Sequence, residues 1–175
     1  MTNDLRRLRR KLCRELMQAE HDAVIHPRRE ASRLGDVPPA QALLAISEHA
    51  ARMRPRLEAK LRGEQPTGMR LGRAVAETFS AVRHLLIDRL IDAERSYRGT
   101  LLGLRHGVDV ARLLREVALR ETDAELVHFC DELLVDRTAL LEEAEQAMAW
   151  FAEQPARALA PGLRVALESG ASDDV

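Results

Sequence analysis

Lysine is nearly missing from this chain: Lys11 and Lys60 stand alone in a sequence whose lysines and arginines together number 27. The excess of arginine, with abundant Ala and Leu, fits GC-rich coding and carries little functional weight. Aromatic residues make up only 3%, so a core has to be built from Leu, Ala and Val, which suits helix-on-helix packing. Cysteine is limited to Cys13 and Cys130. They lack CxxC spacing and no secretory leader is read, so both are expected to be reduced core thiols in a cytoplasmic protein. No apolar run approaches the roughly 18 residues of a membrane span, and the protein is expected to be soluble. Net charge is also lacking, at -1, which argues against a nucleic-acid binder that relies on overall positive charge. Phosphate-binding glycine loops and nucleophile elbows are absent, so hydrolase and NTPase readings have no support.

What the chain does hold is apolar periodicity. Its 175 residues are 46% hydrophobic, enough for one domain with a real core. Leu71, Val75, Phe79, Val82, Leu86, Leu90, Ala93, Tyr97, Leu101, Leu104 and Val108 recur at steps of three and four, which places them on one helix face. The spacing predicts a third helix from about Met69 to His106, the longest of the fold, with a chain reversal at Gly107 to Asp109 and a short extra helix over Val110 to Leu119. A first helix starts at Asn3 or Asp4 and should end or kink near Pro27. A second is launched by Asp36, Pro38 and Pro39, buries Leu43, Ile46, Ala50, Met53, Leu57 and Leu61, and should bend at Pro55; Gly63 to Gly68 is a stop signal. Thr122 and Glu125 have capping-box spacing and open a fourth helix, from about Asp123 to Phe151. The expected fold is all-α, an elongated antiparallel up-and-down four-helix bundle over residues 1–153, with a flexible tail over 154–175 and a weak helical turn at Leu163 to Leu167.

Helix bundles carry metals on inward carboxylates and Glu-x-x-His pairs. Here Glu125 and His128 have that spacing, but the capping box already explains Glu125. Glu20 with His21 and Glu48 with His49 lack it, and Glu94 sits on the long stripe. Asp136 and Arg137 interrupt the apolar face of the fourth helix. An inward Arg137 needs a carboxylate such as Glu94 or Asp88; the reading adopted leaves both residues at the edge of the face, with the Arg stem covering it.

Gly99, Gly103 and Gly107 fall four apart on one face, extended backwards by Ser96. They predict close packing with the short helix or a second subunit, or otherwise a break near Gly99. Arg6, Arg7, Arg9, Arg10, Lys11 and Arg14 form a basic patch with no interleaved aromatics, read first as a solvated helix face. His26, His84 and His106 are isolated.

The run AERSYRGTLLGLRHGVDVARLLREVAL, followed by DAELVHFCDELLVDRTALLEEAEQAM, resembles the last two helices of ferritin-like bundle proteins, particularly small bacterial ones, over Ala93 to Met148. The metal-binding version of that family implies a Glu-x-x-His in the middle of the fourth helix, where this chain has Asp136, Arg137 and Thr138. The resemblance therefore implies a member without its metal. The leading expectation is a non-enzymatic interaction or assembly module with a protein partner or self-association. The alternative is a di-iron carboxylate protein holding iron or manganese on Glu20, Glu94, Glu125 and His128. A third is a binder of nucleic acid or anionic surfaces through the Arg cluster.

Overall fold

The structure is a computed structural model that describes residues 3–61 and 91–161. Four long helices, α1 (Asn3–Leu34), α2 (Pro38–Lys60), α3 (Ala93–Arg120) and α4 (Ala124–Gln146), pack together, followed by the short α5 (Ala149–Glu153) and α6 (Pro155–Ala158). No strand occurs among the described residues; a single isolated bridge joins Asp92 to Pro161. The second-helix stripe is buried throughout, from Leu43 to Leu61.

The helices form a ring in which α1 touches α2 and α3, while α4 touches α3 and α2. Cross-helix bonds set the directions. Arg9 at the start of α1 reaches Glu121 and Asp123 at the α3–α4 turn, whereas Arg33 near its end reaches Ser96 at the start of α3. Lys60 at the end of α2 meets Glu125 at the start of α4. Each neighbouring pair is therefore antiparallel, and the order of the described long helices is up, down, down, up. The expected simple up-and-down order is corrected: Leu61 and Asp92 lie at opposite ends of the bundle.

Several expected boundaries also shift, because tertiary packing outweighs local propensity. Helix α1 does not end at Pro27 but continues beyond it to bury Ala31 and Leu34, while Pro55 lies inside α2 as its stripe implies. The extended backbone of Asp92 (φ -54°, ψ 144°) precedes α3, so this helix of 28 residues is shorter than α1, with 32. The rest of the predicted third helix, from Met69 to Leu90, lies outside the described residues, as do Gly63 to Gly68, Asp88, His84 and the turn expected at Leu163. No reversal occurs at Gly107. A Cβ there would lie 3.3 Å from the Ala19 Cβ, so the glycine lets α3 approach α1. Beyond it, Val108, Val110, Ala111 and Leu114 continue the buried stripe, and their burial exceeds the roughly 1 kcal/mol that a helical glycine costs.

The capping box is also replaced. Thr122 has φ 55°, a turn conformation incompatible with an N-cap, and Asp123 caps α4 instead, its Oδ1 accepting from the Leu126 amide at 3.0 Å. Helix α4 stops at Gln146, before the expected Phe151. Gly99 and Gly103 lie within α3 without breaking it, and a Cβ on either would meet nothing within 4 Å.

Candidate functional site: a buried polar layer

The core divides into two apolar clusters. One holds Leu43, Ile46, Tyr97, Leu101 and Phe151; the other holds Leu16, Leu57, Leu114, Phe129 and Leu133. Both cysteines lie buried in the second cluster, and burial pushes the Cys130 thiol up to about 12, which keeps it protonated and unreactive.

Three polar side chains lie along the helices between the clusters. Glu20 from α1, His49 from α2 and Arg137 from α4 are 1%, 2% and 2% exposed. Arg137 Nη2 donates to Glu20 Oε2 at 3.0 Å, and its Nε donates to His49 Nδ1 at 3.2 Å. Because Nδ1 accepts, His49 is neutral and carries its proton on Nε2. That atom is buried without a hydrogen-bond partner, its nearest carboxylate being Asp136 Oδ2 at 3.6 Å. Burial, reinforced by the Arg137 charge, lowers the His49 pKa to about 4. Burial also raises the Glu20 pKa, while Arg137 opposes that shift.

The layer corrects the edge position expected for Arg137. Among the described residues its carboxylate partner is Glu20 and not Glu94; Asp88 lies outside them. Glu20 follows Leu16 by four residues, His49 follows Ile46 by three, and Arg137 follows Leu133 by four, so each continues an apolar stripe. That spacing was the available signal. A single helix does not show that three stripes converge at one level.

The other candidate ligands are scattered. Glu94 pairs with Arg98 at 2.7 Å on the outside of α3. Glu125 is exposed beside Lys60, and His128 lines an open depression with Leu119 and Val127 at the α3–α4 turn. His21 bonds Arg54, and Glu48 is exposed. Tyr97 does point inward, its hydroxyl donating to the Ala144 carbonyl at 2.7 Å. A separate polar contact closes the other end of the α1–α3 pair, where Ser96 Oγ and Arg33 both donate to Glu30.

The fit of a di-iron centre is poor. Glu20 and His49 are the only two of the candidate donors brought together among the described residues, and a fixed guanidinium already bonds both. A metal cation placed there would meet the charge of Arg137 at short range. No group of three His, Cys, Asp or Glu suited to a metal occurs among the described residues. No helix among them is long and apolar enough to cross a membrane. No family model matches the chain, and no curated protein or solved structure matches it either.

Proposed function

We propose that the chain is a non-enzymatic, metal-free bundle of ferritin-like architecture that acts through its surface as an interaction or assembly module. The observation that carries this reading is the Arg137 guanidinium between Glu20 and His49. Glu20 and the Nδ1 of His49 are both engaged by Arg137, so a protein cation takes the place that a metal would need. The up, down, down, up order supports the architecture, because ferritin-like bundles have one long crossover among otherwise hairpin-linked helices. The outward side of α3 supports the interaction role: Leu102 is 66% exposed, flanked by Gly99 and Gly103, which leave room for an approaching chain.

Elemental analysis of the purified full chain tests the first half of the reading. Well under one iron, manganese or zinc per chain is expected; a stoichiometric metal that is lost in Glu20→Gln would overturn it. For the second half, Leu102→Glu is expected to leave the fold intact and to weaken association, read as light-scattering mass or as partner capture. Unchanged association would remove α3 as the interface.

A further inference from the structure

At least ten arginines of the described residues lie within 4.0 Å of a carboxylate: Arg9, Arg33, Arg54, Arg56, Arg98, Arg105, Arg112, Arg115, Arg120 and Arg137. The other described arginines meet no carboxylate among the described residues, and four of them, Arg6, Arg7, Arg10 and Arg14, are exposed together on the first turns of α1. They are spaced by one, three, four, seven and eight positions. Like charges three and four apart destabilise the helix by a few tenths of a kcal/mol per pair, and no ion pair among the described residues relieves them.

The near-neutral total hides where the charge lies. Residues 6–14 carry five arginines and one lysine with no acidic residue, whereas residues 138–156 carry four glutamates and no lysine or arginine. The first stretch is at the end of the bundle where Arg9 bonds Asp123, and the second begins beyond mid-α4 and runs to the opposite end, where Tyr97 bonds Ala144. Along these two segments the described residues therefore place positive charge at one end of the bundle and negative charge toward the other. A polyanion meets the basic end and is repelled by the acidic end.

We propose that the start of α1 is a docking surface for duplex nucleic acid, gripped through phosphates. Three features select this partner. Guanidinium groups fork onto phosphate oxygens. The four arginines fan over about 100° of the helix circumference and about 12 Å of its length, so they suit the two phosphate-lined walls of a groove about 12 Å wide better than a flat membrane. The apolar face of this helix segment is also turned into the core, with Leu12, Cys13 and Leu16 buried, which removes the insertion that holds an interfacial helix on lipid. Without aromatic platforms, the contact reads phosphate geometry and is indifferent to base sequence.

The test is binding of the full chain to a fluorescent 20-base-pair duplex across a salt series. Four phosphate contacts give a log–log slope near -3.6, a loss of about 150-fold in affinity between 50 and 200 mM salt. Arg10→Gln with Arg14→Gln is expected to halve that slope while leaving the helical circular-dichroism spectrum unchanged. Arg28→Gln with Arg29→Gln, exposed on the far half of the same helix, is expected to bind like the parent. No binding at 50 mM salt, an equal loss in both double variants, or adsorption to vesicles of 30% anionic lipid without duplex binding would each overturn the proposal.

Discussion

Arginine is used in opposite ways at two places in this molecule. Arg137 lies at the centre of the bundle, bonded to one carboxylate and one imidazole. Arg6, Arg7, Arg10 and Arg14 lie in solvent at one end and bond neither. The difference lies in which way the apolar stripe turns. Where an arginine falls on the stripe it must bring partners with it, since an unpaired charge in the core costs several kcal/mol. Where it falls off the stripe, water solvates it and no partner is required. The buried cation therefore fixes how three helices fit, while the exposed ones leave a charge free for something outside the chain.

The comparison breaks most sharply at Glu20. Glu20→Ala strands the Arg137 charge in the core, and a loss of about 3–5 kcal/mol is expected in urea unfolding, against less than about 0.5 kcal/mol for Arg10→Ala on the surface. Equal losses would show that burial is not what separates the two regions. Replacing the whole layer, Glu20→Leu with His49→Leu and Arg137→Met, is expected to be neutral or to stabilise by up to about 4 kcal/mol; a loss as large as that of Glu20→Ala would mean that the layer itself contributes net stability.

The next effect depends on pH. The unfolded chain protonates His49 near the ordinary 6.5, whereas the folded chain holds it neutral until about 4. Its contribution is present in full above pH 6.5 and is lost as pH falls through that window, by about 3 kcal/mol at the limit. The raised Glu20 pKa acts in the opposite sense, since folded Glu20 takes up its proton earlier than the unfolded chain does. The test is therefore the difference in unfolding free energy between the parent and His49→Gln from pH 7 to 4, which should shift against the parent as pH falls. A constant difference would remove the buried histidine from the account.

The smallest effects concern the glycines. Gly107→Leu should cost about 1–3 kcal/mol of overpacking against Ala19, while Gly103→Ala, in open space, should stabilise by up to about 1 kcal/mol through helix propensity. Thermal melts of the two variants, read beside their light-scattering masses, check both signs. A destabilised Gly103→Ala would show that something covers that face in solution.

Much of the fold was legible because apolar spacing reports directly which side of a helix is buried. The stripe of α2 reads correctly from Leu43 to Leu61, and Tyr97 points inward as its spacing predicts. Helix ends were less legible. Gly107 and the pair Thr122 and Glu125 carry strong local stop and start signals, but α1 packing on α3 and the left-handed turn at Thr122 overrode them. The candidate site was half legible. Glu20 was a candidate ligand of the alternative metal reading and Arg137 was expected at the edge of the apolar face; the two lie 117 positions apart, and no local pattern joins them.

By itself, then, the sequence determined that the described chain is helical, which faces are apolar, and that a cationic run begins the first helix, because each of these depends on residues within a few turns of one another. Tertiary structure decided that the order is up, down, down, up, that α3 runs through its glycine, and that Glu20, His49 and Arg137 meet at one level. Those outcomes depend on the relative register of separate helices. Register is chosen by how whole surfaces pack, and the choice is constrained most where a buried charge can reach its partner in only one alignment.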